Sequence, residues 1–367
     1  ALGCQDVKRT TGQHPGGIIV IPAGYEVYDF TPYQYPADDQ NATWFTTHFD
    51  FHAIHDNVLK LDLLGHVDPI ALKFLENVTG IKAVDIPLND RAVHSVFGSR
   101  EALKCFSNHL GETTGALGLP EFGTNLTRQM LEEIRPKTFA DLVLISGLSH
   151  GTDVWAGNAQ DLLRNKVCGV DGIIACRDDV MIYLIGKGVD NSKAFKTMES
   201  VRKGKKIPPE YMDDIVKAGV PEYYIDSANK CKYLFPKAHA IAYVTMAVRI
   251  AWFKVHKPLA YYACFFSTRA KQYDIKSMTT GIDAMLKLLE EYKVKKSNRT
   301  ISPKEEEIEK TLHIAIEMYE RGYKIRNIDL YKSKATDFVV DEENNAIIAP
   351  FTVIDGLGEA PAQSVVD

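Results

Sequence analysis

The segment Phe235-Pro236-Lys237-Ala238-His239-Ala240, running without a break into the apolar stretch 241–256, constrains the fold more than any other part of the chain. It reads as a long helix that starts at a proline and lies largely inside the protein. Proline is tolerated at a first helical position, and the free amides of a first turn, together with the helix dipole, favour an anion there. Lys237 adds a full positive charge to that turn. His239, Tyr243 and Met246 recur at intervals of four and three, so they share one face that can lie against a flat ring while Lys237 reaches phosphate. An ordinary helix start, with a snorkelling lysine and a hydrogen-bonded histidine, has the same letters.

The rest of the chain is read around this helix. Its 367 residues, 45% hydrophobic and 25% charged, suit two or three domains with an ample core. Arg249 and Lys254 interrupt the longest apolar run, so nothing reaches the roughly 20 apolar residues of a membrane span. The N-terminus has neither an initiator methionine nor a signal-peptide pattern, and the chain reads as a piece of something longer. Residues 1 to about 70 read as strands and turns: 16–22 is a β-branched run between Gly and Pro, 44–51 alternates aromatic with polar residues, and 59–65 looks like a strand ending in a turn. Beyond Pro69 apolar residues recur at helical spacing, and from about 157 to 270 helices follow one another between Gly and Pro breaks. The charged run 292–310 reads as a solvated helix and its approach, 346–351 as a strand, and Ile354 as the start of a new unit.

Several residues carry chemistry in this reading. Asp62 sits among apolar neighbours near a strand end, with Lys60 on the same face; a buried carboxylate needs a partner or a metal, while a turn-closing Asp needs neither. Two-metal phosphoryl transfer requires more than one carboxylate to hold ions about 3.5–4 Å apart. His48, Asp50, His52, His55 and Asp56 form a compact His/Asp cluster, in which 48, 50 and 52 share one side of a strand; it is either a metal site or a packed group among phenylalanines. Residues 10–17, Thr-Thr-Gly-Gln-His-Pro-Gly-Gly, make a turn whose small residues allow close backbone approach to a ligand. Arg202, Lys203, Lys205 and Lys206 surround one glycine, either a phosphate-binding segment or a solvated helix end. Gly356 and Gly358 look like a helix-hairpin-helix turn that offers backbone amides to a DNA phosphate. The net charge of −5 confines any polyanion site to a local patch, and six scattered cysteines argue against a disulfide framework and for a reducing cytoplasm. Neither a Walker loop nor a Rossmann fingerprint is present.

Taken in order, the motifs at 10–17, 60–66 (Lys-Leu-Asp-Leu-Leu-Gly-His), 120–124 (Pro-Glu-Phe-Gly-Thr), 146–155 (Ser-Gly-Leu-Ser-His-Gly-Thr-Asp-Val-Trp), 176–179 (Cys-Arg-Asp-Asp) and 235–240 closely resemble those of the PolC-type alpha subunits of bacterial DNA polymerase III. The resemblance implies an α+β chain: 1–90 as the C-terminal part of a palm of nucleotidyltransferase (polymerase β-like) type, 91–345 as large, mainly α-helical fingers, and 346–367 as the start of a duplex-binding helix-hairpin-helix region. In that family three palm aspartates hold two Mg2+ ions. Asp62 matches the third, with Lys60 beside it as a triphosphate contact; the first two belong to an Asp-x-Asp strand that nothing in 1–59 matches. Lys237, His239 and Tyr243 match the helix lining the incoming dNTP, and Arg202, Lys203, Lys205 and Lys206 a basic segment near its phosphates. Ser149, His150 and Asp153 match the loop beside the nascent base pair, with Arg177 also there.

The implied activity is template-directed addition of dNMP to a primer 3′-OH. The implied partners are primer–template DNA, dNTP and, through regions mostly outside this chain, a sliding clamp and other replisome subunits. One metal-binding Asp cannot assemble the metal pair, so this chain alone is expected to be inactive. Two rival readings are a noncatalytic DNA-binding module and a metallohydrolase centred on His48, Asp50 and His52.

Overall fold

The β-branched run after Gly16 forms β1 (Gly17–Val20), as its composition predicts. Further on, β2 (Tyr33–Gln34) and β3 (Thr46–Thr47) make a short antiparallel ribbon. The chain then coils into a single turn, α1 (Phe51–Ile54), where the aromatic–polar alternation predicts a longer strand. β4 (Leu59–Asp62) returns antiparallel to β1, with Gly17 opposite Asp62 and Ile19 opposite Lys60. These elements belong to the first of two compact units, which part between His66 and Val67. The structure, a computed structural model, describes residues 2–4, 12–14, 16–63 and 65–367, with His52 by its backbone only. Thr10, Thr11 and Pro15 of the N-terminal turn, Leu64 and the His52 side chain lie outside the described residues.

The second unit opens with α2 (Val67–Thr79) and α3 (Arg91–Ser95), followed by α4 (Asn125–Ile134) and α5 (Phe139–His150). Thr124 and Thr138 accept hydrogen bonds from amides of the first turns of α4 and α5, which stabilises each start by about 1 kcal/mol. Then come α6 (Gln160–Arg164), α7 (Arg177–Gly186), α8 (Asn191–Val201), α9 (Pro209–Lys217) and α10 (Glu222–Lys230), broken where glycines and prolines predict. The long segment picked out above is α11 (Lys237–His256), and Lys257-Pro258 ends it and starts α12 (Pro258–Thr268). Buried Ala240, Val244, Ala247, Val248, Ala251 and Phe253 make α11 the central helix, packed against α2, α3, α5, α7 and α12. The stretch 67–90, grouped with the palm on sequence, contributes Ala71, Leu72, Leu75 and Ile86 to this same core.

Three helices, a small sheet and a last short helix complete the unit. α13 (Ile275–Thr280) and α14 (Ile282–Ser297) lead to α15 (Pro303–Glu320), whose Ser302–Glu305 capping box sits inside the charged run. β5 (Lys324–Arg326), β6 (Val339–Asp341) and β7 (Ala346–Ile348) form a small mixed sheet with β7, the strand its letters predict, in the middle and fully buried. A 3₁₀ turn (Phe351–Val353) and α16 (Glu359–Val366) follow, packing Phe351 and Ala362 together. Helices dominate and the sheets are small, an α+β fold. Among the described residues no helix is long and apolar enough to cross a membrane.

His313 on α15 makes the second unit sensitive to acid. Burial holds its imidazole below the ordinary value of 6.5, with Arg128 and Lys296 acting the same way against the pull of Glu309. The folded-state pKa lies below the unfolded one, so the unfolded chain takes up the proton first. The stability this group contributes is present above about pH 6.5 and is lost as pH falls, by at most about 1.4 kcal/mol per pH unit. Comparing urea midpoints at pH 7.5 and 5.5 for the parent chain and His313→Gln should show a smaller acid loss in the variant.

Candidate functional site

Pro236 lies one residue outside α11, with extended backbone, and Lys237 is the first helical residue. The anion that this helix start is suited to meet comes from the chain itself: the Lys237 amide donates to Asp178 Oδ2 at 2.7 Å. Beside it, Asp179 accepts from the amides of Ala175 (3.1 Å) and Cys176 (2.7 Å) and from Lys237 Nζ (2.7 Å). Burial works against the Lys237 charge, but the hydrogen bond and charge of Asp179 outweigh it and raise the ammonium pKa. Cys176, capping α7, is pushed up to about 12 by burial and by Asp179, so its thiol stays protonated and unreactive. The Lys237–Asp179 pair stands at the wall of an apolar cavity of about 450 Å³, lined by Phe139, Leu144, Ile173, Tyr183, Tyr224 and Ile241 among others.

His239 and Tyr243 stand about 200° and about 240° around the helix from Lys237, because each residue turns about 100°. Their rings stack with centroids 4.0 Å apart and planes at 28°. Phe235 lies 4.7 Å from His239, and His150 lies 5.3 Å from Phe235 and 5.6 Å from His239, which makes one aromatic cluster from two helices and a loop. His150 is held at both nitrogens, Nδ1 at 2.7 Å from the Ser146 carbonyl and Nε2 at 3.2 Å from Glu121 Oε2. The Ser149 hydroxyl turns back to the Ser146 carbonyl. Met246 packs against the core instead of extending the stack.

Residues 232–235 tie the remaining candidates to this cluster. Thr152 N donates to Tyr233 O and Lys232 N to Thr152 O, both at 3.0 Å, so the loop after α5 is strapped there. Asp153 pairs with Lys232 at 2.6 Å. Leu234 N donates to Arg202 O, and Arg177 N donates to Phe235 O. Gly204 has φ +74°, and a Cβ on it would fall 2.6 Å from Lys232 O, so only glycine lets the basic segment lie against this strip. Glu199 takes up two of the four cations, Arg202 at 2.5 Å and Lys203 at 3.5 Å. Lys205 and Lys206 are exposed and, among the described residues, make no ion pair. The sequence motifs at 149–153, 177, 202–206 and 235–243 thus meet around one strip, with Lys237 turned to the cavity side.

In the first unit, Lys60 Nζ pairs with Asp62 Oδ1 at 3.0 Å, as two residues on one strand face should. The carboxylate is 51% exposed, so the burial its apolar neighbours suggest is corrected: the two-stranded ribbon leaves that face open. His14 Nδ1 accepts from the amides of Gly16 (3.1 Å) and Gly17 (2.5 Å), and a Cβ at Gly17 would fall 2.7 Å from both His14 Nδ1 and Lys60 Cε. Gly17 thus lies close against the side chains of His14 and Lys60. The shared strand face for His48, Asp50 and His52 does not exist, because β3 ends at Thr47 and α1 begins at Phe51. His48 bonds Gln34 at 2.8 Å, His55 pairs with Asp56 at 3.2 Å, and no group of three metal-ligating side chains is gathered among the described residues.

At the other end of the chain, Gly356 has φ +84° and Gly358 caps α16. A 3₁₀ turn, not an α-helix, precedes them, and Asp355 is pinned by Lys304 at 3.0 Å. Sequence reasoning missed Asp178, Asp179 and Glu121 as partners of the candidate residues. For Asp179 a signal existed, a carboxylate at the third position of a helix start, where it caps. For Glu121 there was none, since its partners Ser146 and His150 lie far along the chain.

Comparison with known proteins bears on the whole of this arrangement. Residues 1–65 match the bacterial DNA polymerase III alpha NTPase domain, and residues 69–220 the bacterial DNA polymerase III alpha subunit finger domain. The chain is 52% identical over 364 residues to the DNA polymerase III PolC-type proteins of Oceanobacillus iheyensis and Bacillus subtilis, and 51% identical over 372 residues to that of Streptococcus sanguinis. These alignments cover 99–100% of this chain and 25% of each relative, so the chain spans about a quarter of their length. On this evidence the chain belongs to the PolC-type family of bacterial DNA polymerase III alpha subunits.

Proposed function

We propose that this chain supplies one palm carboxylate and the nucleotide-binding fingers of a replicative DNA polymerase that adds dNMP from dNTP to a primer 3′-OH on a DNA template. The observation that carries the reading is the meeting of Phe235, His150, His239 and Tyr243 at the start of α11, with Lys237 on another side of the same helix start. A stacked aromatic surface suits the face of a nucleobase, and a lysine within one turn of it suits the triphosphate. Ser149, His150 and Asp153 then border the nascent base pair, with Arg177 near them. Arg202, Lys203, Lys205 and Lys206 add positive potential for phosphates of the nucleotide or the template strand. Gly356 and Gly358 serve as the duplex-binding turn.

The first unit belongs to a palm of nucleotidyltransferase type in this reading. Its β1–β4 ribbon exposes Ile18, Val20, Leu59 and Leu61, more apolar surface than a free two-stranded ribbon carries, which supports further palm structure covering it. We place the change from palm to fingers at the 66/67 division of the fold, not near residue 90. The cofactors are two Mg2+ ions, which when bound activate the primer hydroxyl and stabilise the leaving pyrophosphate. Exposed Asp62 suits one ligand position for a hard cation, and a metal pair needs further carboxylates beside it. The companion acids come from elsewhere in the polymerase, and this chain alone is inactive.

Lys237→Ala, tested in a polymerase of full family length carrying this chain, should raise the dNTP KM about 10-fold or more, the size of a lost charge-assisted contact. Primer–template Kd should move less than twofold. Equal losses in both would refute the placement of α11 at the nucleotide.

A further inference from the structure

We propose that Asp179 is a positioning residue that holds Lys237 as a stored counter-ion pair, and that an incoming triphosphate binds by drawing Lys237 away from it. The inference rests on the reading of α11 as the nucleotide-facing helix and adds a regulating partner to it.

Three observations carry it. Asp179 is itself fastened: the amides of Ala175 and Cys176 hold Oδ2, which leaves Oδ1 aimed at Lys237 Nζ at 2.7 Å. The second carboxylate of the same helix start, Asp178, holds the Lys237 amide at 2.7 Å, so the first turn of α11 is bracketed by two acids from α7. The paired ammonium lies against the cavity wall with Ile241, on a different side of the helix from the His239–Tyr243 stack. A lysine that served only to anchor the helix would be sealed in its pair. Here the Lys237 side chain is 41% exposed and Asp179 20%, so the cation has a path outward while the acid stays fixed.

The physical consequence is a competition. Each nucleotide that engages Lys237 must replace the Asp179 carboxylate, so the pair weakens nucleotide binding by the strength of a half-exposed ion pair. The stored position also keeps the cation from gripping other anions before a nucleotide arrives. Asp179→Asn keeps an oxygen to accept from Ala175 and Cys176 but removes the charge that retains Lys237.

The test is steady-state dNTP incorporation by the full-length polymerase, using dATP opposite template T, for Asp179→Asn, Lys237→Ala and the double variant. The expected result for Asp179→Asn is a KM lowered about two- to fivefold, with kcat changing by less than that. In the Lys237→Ala background the same change should leave KM unaltered, because there is no cation to release. A merely structural acid would lower kcat and raise KM together, or act identically in both backgrounds, and either outcome overturns the proposal. If Lys237→Ala raises KM while Asp179→Asn does not lower it, the stored pair is refuted and the nucleotide role of α11 stands. If Lys237→Ala leaves KM unchanged, the underlying reading of the helix fails. Asp179→Glu is the check on folding: it keeps the charge, so a lowered KM in this variant also counts against the proposal.

Discussion

Asp62→Asn, made in a polymerase of full family length, is expected to reduce primer extension by a factor of about 100 to 1,000, the scale on which removal of one preorganised charge-stabilising group acts. The structure says why this should be a clean experiment. The Asp62 side chain is half-exposed at the end of β4, so an isosteric amide fits without repacking. Its partner Lys60 loses a surface ion pair, a contact worth about 1 kcal/mol or less. Lys60 also keeps its position over the Phe51 ring, 5.3 Å from the centroid. Folding and primer–template binding should therefore survive, and the loss should fall on the chemical step. Extension at near-parental rate by the Asn variant would remove Asp62 from the catalytic centre.

The second large effect is on stability and arises in the last turn of α11. Lys254 is fully buried, its ammonium 2.8 Å from Glu317 of α15 and bonded to the carbonyls of Gly115 (2.8 Å) and Leu117 (2.6 Å). Burial lowers its pKa and Glu317 opposes that shift. Tyr262 donates to the same carboxylate at 2.9 Å, and Arg321 donates to Tyr262 at 3.2 Å and to the Leu103 carbonyl at 3.0 Å. Every member of this network is satisfied by a group from another element, so removing one leaves a charge stranded in a low-dielectric interior. Lys254→Met should destabilise the second unit by about 3–5 kcal/mol. The double variant Lys254→Met/Glu317→Met should cost less than the sum of the two single changes by about 1–3 kcal/mol, because neither Lys254 nor Glu317 is then left without the other. Urea unfolding of the 367-residue chain measures both. Single variants within about 0.5 kcal/mol of the parent would show the network to be dispensable.

These two cases also mark where the sequence was legible. The start of α11, the order of helices from 157 to 270 and the buried strand at 346 could be read because periodicity, capping residues and Gly/Pro breaks are local signals. Lys254 was visible only as a charge interrupting an apolar run. Its partners at 115, 117 and 317 lie far away in the chain, and no local pattern points to them. The ion pair at Lys237 was hidden for the same reason: a helix start that suits an outside anion already holds two of its own, from α7. Asp62 misled in the opposite sense. Leu59, Leu61 and Leu63 around it suggest burial, yet a two-stranded ribbon has no second layer among the described residues to bury them, and all three are exposed. The His48–His52 alternation failed because one turn of helix replaces the strand it assumed.

The first turn of α11 is the proposed meeting point of a nucleoside triphosphate with this chain. A structure of the full-length polymerase with primer–template and a non-hydrolysable dNTP tests it most directly, through the distance from Lys237 Nζ to the closest phosphate oxygen. The expected distance is about 2.7–3.2 Å, with the base against the His239–Tyr243 face. A triphosphate bound elsewhere, with Lys237 still on Asp179, would contradict it.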